Sequence, residues 1–355
     1  MVNQFERLGP ADAVSVVWVG HSLIQTQVEA AQGPVDLMSL VGAFAAHRGV
    51  GYTHLDHTLW GSPLSALWRG APHGYERDAS DMVPRREAFE RDAQNYDAMV
   101  LTEVLPLTAK VMRLEASSYY LRLFYCALKK ANPAARVYLY QTWAHFQGTG
   151  PNAVDPPAHR YDWLQEMNSQ RRNWHQLADT ACRPGVAMPG WLSRFGLSRR
   201  SNAGCDIADP IYAVPVGDTF IAIAERLNNP HPVDDFALPA GTNLALADFF
   251  TNPYIDWPDG WPVSGADTDI DPATALAALS LRDPDQPHDD VHLSATGIYV
   301  AALVHFATLY RQSPVGLPAP PDIGDAVAHT LQSIVWQTVL SEPRAGVATG
   351  NSDGA

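Results

Sequence analysis

Two short stretches, far apart in the chain, hold residue types that can do chemistry together. In "VSVVWVGHSLIQTQ", residues 14–27, a run of β-branched and apolar residues stops at Gly20-His21-Ser22-Leu23. A serine just past a buried strand is a candidate nucleophile. The glycine before it leaves room for the chain to turn, and a helix after the turn would aim backbone N–H groups at the site. The same arrangement is also that of a helix N-cap, so Ser22 alone decides nothing. In "HDDVHLSATGIYVAALV", residues 288–304, two acids and a histidine lead into an apolar helix. An Asp three residues before a His can fold back onto it. The carboxylate then fixes the tautomer, stabilises the imidazole's positive charge and leaves the other ring nitrogen free to take a proton from a serine. Asp289 or Ser294 could instead simply cap the helix.

Taken together, the two stretches resemble the SGNH, or GDSL-type, hydrolase family. There a Gly-X-Ser-Leu block follows the first strand and an Asp-X-X-His block lies near the C-terminus; here they read Gly20-His21-Ser22-Leu23 and Asp289-Asp290-Val291-His292. The resemblance implies Ser22 as nucleophile, His292 as base and Asp289 as its partner, with Asp290 the rival acid. It also implies an α/β fold of the three-layer, flavodoxin-like kind with a five-stranded, mainly parallel sheet, and a serine esterase needing no cofactor and no metal. Short acyl groups such as acetyl on carbohydrates are frequent substrates in such families. An acyltransferase on the same triad, and a non-catalytic carbohydrate-binding relative, are the alternatives.

An oxyanion hole must set donors about 3 Å from the developing charge. The family's second block is a glycine after the second strand, and "TLWGSPLSALW" offers Gly61, whose N–H would act with that of Ser22. A turn glycine ahead of a helix beginning at Pro63 is the other reading. The third block departs from the family: in place of Gly-X-Asn-Asp stands Thr102-Glu103-Val104-Leu105-Pro106. An ionised Glu103 only accepts hydrogen bonds, so the third donor would be Thr102, Gln141 or none. Glu103 would bind a substrate hydroxyl or pair with Arg69. His21 replaces the acid or amide usual beside the serine. In "YQTWAHF", Gln141, Trp143 and His145 fall on the same rim, and Trp143 would stack on a sugar ring unless it packs in the core.

These residues need a scaffold to hold them. Strands are expected over 14–19, 51–57, 97–102, 136–141 and 211–216, and helices over 35–48, 111–130, 294–312 and 323–341. Such alternation implies a parallel sheet covered on both faces. Residues 146–205, with a helical middle at 160–180, and residues 228–288 read as insertions on the loop side, walls of a binding site carrying Trp163, Trp174, Trp191, Trp257 and Trp261. One domain is expected over 1–345, with a disordered tail over 346–355.

Composition bounds the remaining classes. With 38 acidic and 24 basic residues the formal charge is −14, and no basic cluster tracks a phosphate backbone, so nucleic acid is not an expected partner. No apolar run approaches the ~20 residues of a membrane span, and the N-terminus lacks a signal-peptide pattern, so a soluble chain is expected, with its compartment and oligomeric state left open. Cys126, Cys182 and Cys205 are too few for a disulfide scaffold; Cys182 and Cys205 would form a bridge or remain thiols. His54, Asp56 and His57 do not make a metal site, because strand alternation sends His57 to the opposite face.

Overall fold

Strands that are apolar at both odd and even positions have two faces to bury, and helices must cover both. In the computed structural model this is how the chain folds. The structure describes residues 5–30, 33–70, 89–105, 107–144, 157–189, 200–201, 204–207, 209–228, 238, 244–250, 291–321 and 323–348. Its strands are β1 (Ala13–Gly20), β2 (Gln27–Ala30), β3 (Gly33–Asp36), β4 (Gly51–Thr58), β5 (Ala98–Leu101), β6 (Arg136–Tyr140), β7 (Val186–Ala187), β8 (Arg200–Ser201) and β9 (Ile211–Val214). Five of them form a parallel sheet in the order β4-β1-β5-β6-β9. Counted along the chain that order is 2-1-3-4-5, the flavodoxin-like arrangement.

The helices described are α1 (Ser22–Gln25), α2 (Leu37–Arg48), α3 (Leu64–Arg69), α4 (Ala109–Leu114), α5 (Ser117–Ala131), α6 (Pro157–Ala181), α7 (Val216–Asn228), α8 (Ala295–Tyr310) and α9 (Asp325–Ser341). They divide into two layers. Val16, Trp18, Val100 and Tyr140 of the sheet pack with α2, α7, α8 and α9, while Val17, Val19, Met99 and Leu101 pack with α3, α5 and the end of α6. The result is a three-layer α/β/α fold. The side-chain alternation of each strand feeds two separate cores. Because α8 is buried at every residue from Gly297 to Tyr310, its sequence is apolar all round rather than on one stripe.

Several elements differ from the sequence-based expectation. The helix expected over 111–130 is two helices, since Ala116 takes a left-handed conformation (φ 52°) between α4 and α5. The β2–β3 hairpin and α7 went unanticipated. β3 begins with Gly33 and Pro34, and α7 begins right after Pro215 with Gly217 as its second residue, so both carry breaker residues where the elements begin. Helix α6, expected as the middle of a loop-side insertion, lies on the connection from β6 to β9. Its Trp163 and Met167 enter one core and its Trp174 and Leu177 the other, so Trp163 and Trp174 are core residues, not cleft walls. The disulfide joins Cys126 to Cys205, which corrects both the Cys182–Cys205 bridge and the free Cys205 thiol, and leaves Cys182 as a thiol as the second of those readings had it. The buried Arg122 guanidinium donates to the carbonyls of Cys205, Ala181 and Arg183 and fixes that corner. Trp191, Trp257, Trp261, most of 228–288 and residues 349–355 lie outside the described residues. No helix among the described residues is long and apolar enough to cross a membrane.

Candidate active site

In an open parallel sheet the crevice for ligands lies beyond the carboxyl ends of the strands, where the chain's connections diverge to opposite sides. Here that point is the end of β1, which pairs with β4 on one side and β5 on the other. Ser22 follows two residues later as the first residue of the single-turn helix α1, and is only 8% exposed. Its Oγ lies 2.8 Å from Nε2 of His292. That distance suits transfer of the hydroxyl proton to the imidazole.

Local contacts hold each partner of this pair. The His292 turn is fixed from three directions: the Trp143 Nε1–H donates to the Val291 carbonyl at 2.7 Å, Leu293 bridges to Phe250, and the Ser294 hydroxyl caps α8 by accepting from the Gly297 N–H at 3.1 Å. The Trp60 ring stacks on the His292 ring, centroids 5.8 Å apart and planes 28° from parallel. On the serine side, Gly20 is needed for space and not for an unusual turn. A Cβ there would lie 2.7 Å from Thr102 Cγ2 and 2.8 Å from Ile24 Cδ1.

His21 also has a place. Because a carbonyl can only accept, the His21 Nε2–H donates to the Glu103 carbonyl at 3.0 Å. Burial pulls the His21 pKa down to about 4, so the ring is neutral at pH 7 and carries its proton on Nε2. Glu103 is 0% exposed, and its Oε1 accepts the backbone N–H groups of Leu64 at 3.2 Å and Val104 at 2.9 Å. Burial pushes its carboxyl up to about 7 against those hydrogen bonds. Glu103 therefore clasps the serine turn, through its carbonyl, to the start of α3, through its carboxyl. It neither faces a substrate nor pairs with Arg69, whose Nε–H goes to the Ser65 carbonyl.

The remaining rim residues divide clearly. Gly61 adopts φ +61°, the left-handed region that favours glycine, in a turn tied to the end of β1 by the Leu59 N–H donating to the Gly20 carbonyl at 2.9 Å. Pro63 is the N-cap of α3 and not its first residue. Thr102 has committed both its donors, its N–H to the Val19 carbonyl and its hydroxyl to the Tyr140 carbonyl, each at 3.0 Å. It is not an oxyanion donor. Gln141 is buried with its Nε2 donating to Asp218 Oδ1 at 3.0 Å, which turns its amide away from that role. Trp143 is 0% exposed and packs edge-on against Phe220, so its face is closed to a sugar ring. His145, Asp289 and Asp290 lie outside the described residues.

Among the described residues, His175, Asp218 and Glu342 bring potential metal ligands within 4.8 Å of one another. Arg171 already stands at these carboxylates, its Nε 3.2 Å from Asp218 and its Nη2 3.7 Å from Glu342. A guanidinium supplying the positive charge makes this an ion-pair network beside Gln141, and burial raises the Asp218 carboxyl to about 6. On β4, His54 and Asp56 are exposed and His57 is buried, as strand alternation requires.

No family model matches the chain, and no curated protein matches it. Among solved structures, a DUF4886 family protein from Bacteroides uniformis is similar over 93% of this chain and 96% of its own, at 16% identity and a TM-score of 0.49. A protein named "putative GDSL-like lipase" from Parabacteroides merdae is similar over 86% of this chain and 98% of its own, at 11% identity and a TM-score of 0.37. Both likenesses are distant, and the reading of the site rests on its own geometry.

Reasoning from sequence missed Trp60, although it immediately precedes the glycine singled out for the oxyanion hole. It also missed the role of Trp143 as the support of the His292 turn. Neither could be found from spacing, since one contact crosses the chain from 60 to 292 and the other from 143 to 291.

Proposed function

We propose that the protein is a serine esterase that works through an acyl-enzyme. The observation carrying this reading is the 2.8 Å approach of Ser22 Oγ to His292 Nε2 at the carboxyl edge of the sheet. His292 Nε2 takes the hydroxyl proton as Ser22 Oγ attacks the ester carbonyl. The N–H of Ser22, at the first position of α1 where no intrahelical acceptor exists, and that of Gly61 face the resulting oxyanion. The imidazolium then gives its proton to the leaving alcohol. Water, deprotonated by the same ring, cleaves the acyl-Ser22 ester and releases the acid. Asp289 is assigned to orient the imidazole through Nδ1, on the spacing of the Asp-X-X-His block.

The acyl group is proposed to be short, acetyl in the first instance, on the resemblance of the two sequence blocks. A carbohydrate alcohol is the resemblance's suggestion alone, because Trp143, Trp163 and Trp174 are buried and give it no stacking surface. Turnover of p-nitrophenyl acetate tests the reading. Ser22→Ala and His292→Ala should each lower kcat by at least about 10³-fold while the thermal unfolding transition stays in place. A wild type without turnover, or a Ser22→Ala variant that keeps it, contradicts the proposal.

A further inference from the structure

We infer that Trp60 stabilises the imidazolium that His292 becomes in the transition state, and so acts on the reaction through His292 without touching the reacting atoms. This rests on the esterase reading above. Trp60 sits in the turn locked to β1 by the Leu59–Gly20 hydrogen bond, and its own carbonyl accepts from the Ser62 hydroxyl at 3.3 Å. These two bonds fix the main chain of the turn that carries the indole. Its ring lies nearly parallel to that of His292, 5.8 Å between centroids. A cation within about 6 Å of an indole face is attracted by the ring quadrupole, and tryptophan is the best aromatic for this.

The attraction is differential. While His292 is neutral the two rings lie side by side as uncharged aromatics, and only after the proton leaves Ser22 does a positive charge stand 5.8 Å from the indole centroid. An interaction stronger in the transition state than in the ground state accelerates the chemical step. The other imidazole at the site does not oppose it: His21 is buried, neutral and bonded to the Glu103 carbonyl. Trp60 and His292 are both half-buried, so bulk water screens the pair only in part. Trp60 thus belongs to one turn with Gly61, the indole backing the base and the next residue's N–H facing the oxyanion.

A kinetic series on the full-length chain tests this. Trp60→Phe should lower kcat for p-nitrophenyl acetate by a few fold and Trp60→Leu by roughly 5- to 30-fold, with KM within about twofold of wild type. Replacing Trp60 alone with tryptophan analogues carrying one to four fluorines weakens the ring quadrupole and leaves its shape, and kcat should fall stepwise with each fluorine. A flat fluorine series, or a loss confined to KM, overturns the inference. Labelling of wild-type Ser22 by a fluorophosphonate separates the two claims. With Ser22 labelled and the series flat, only the role of Trp60 fails; with Ser22 unlabelled, the esterase reading and this inference fall together.

Discussion

Trp143 Nε1 donates a hydrogen bond to the carbonyl of Val291 at 2.7 Å, and so ties the end of β6 to the residue before His292. The indole is buried, and a buried N–H must find a partner, so the contact serves both packing and position. Trp143→Phe keeps most of the apolar volume and removes this donor. Stability should fall by about 1–3 kcal/mol, and kcat by roughly tenfold because the base is less well held. Thermal unfolding and steady-state kinetics on p-nitrophenyl acetate measure both, and a Phe variant with wild-type kcat would show that the turn is held without Trp143.

Gly20 makes a second prediction about position. A methyl group there meets Thr102 and Ile24 at under 3 Å, which forces the α1 turn away from β5. Gly20→Ala is expected to cost about 1–3 kcal/mol and to slow fluorophosphonate labelling of Ser22. Since its backbone needs no left-handed conformation, Gly20→Ala with Thr102→Ser should recover part of the loss by removing the Cγ2 methyl that it strikes. A double variant no better than the single one would argue against the steric account.

Glu103 predicts a pH dependence of stability. Its folded pKa of about 7 lies above the ordinary carboxyl value of 4.5, so between those pH values the folded state binds more protons than the unfolded one. The stabilisation is fully present below about 4.5 and is lost as pH rises through 7. Glu103→Gln retains the acceptor for Leu64 and Val104 and cannot ionise. Relative to wild type, the variant should gain at most about 3 kcal/mol between pH 4.5 and pH 7.5, at 1.36 kcal/mol per pKa unit. His21 and Asp218 are common to both proteins and cancel in the difference. Denaturant unfolding at both pH values measures it, and a pH-independent difference contradicts the burial of an ionisable carboxyl here.

The Cys126–Cys205 disulfide closes a loop with a sequence separation of 79 between α5 and the approach to β9. Reduction, or Cys126→Ser, should destabilise the fold by about 2–5 kcal/mol, mostly through the unfolded chain. Labelling with a thiol reagent under denaturing, non-reducing conditions should modify Cys182 alone. Modification of Cys205 without reductant would contradict the pairing.

Four of the five sheet strands were legible as short apolar runs bounded by polar or breaker residues, and the edge strand β4 by its alternation of Tyr52, His54 and Asp56 with Thr53, Leu55 and His57. The Ser22 and His292 blocks were legible because their residue types stand in a distinctive local order. What was not legible depends on neighbours distant in sequence. Thr102 and Gln141 look like free donors until the Tyr140 carbonyl and Asp218 are seen to hold them. Trp143 reads equally as a sugar platform or as core, and only the packing of Phe220 and the position of Val291 decide. Glu103 looked like an unsuitable replacement for an asparagine donor, whereas its oxygens organise two turns at once. The cysteine pairing depends on how α5 lies against the segment before β9, which no local spacing encodes.

The central claim is that Ser22, activated by His292, forms a covalent acyl intermediate, and intact-protein mass spectrometry after treatment with a fluorophosphonate tests it most directly. The account predicts one adduct, mapped by peptide sequencing to Ser22, absent in Ser22→Ala and strongly slowed in His292→Ala. An unmodified wild type, or an adduct that persists in Ser22→Ala, would contradict it.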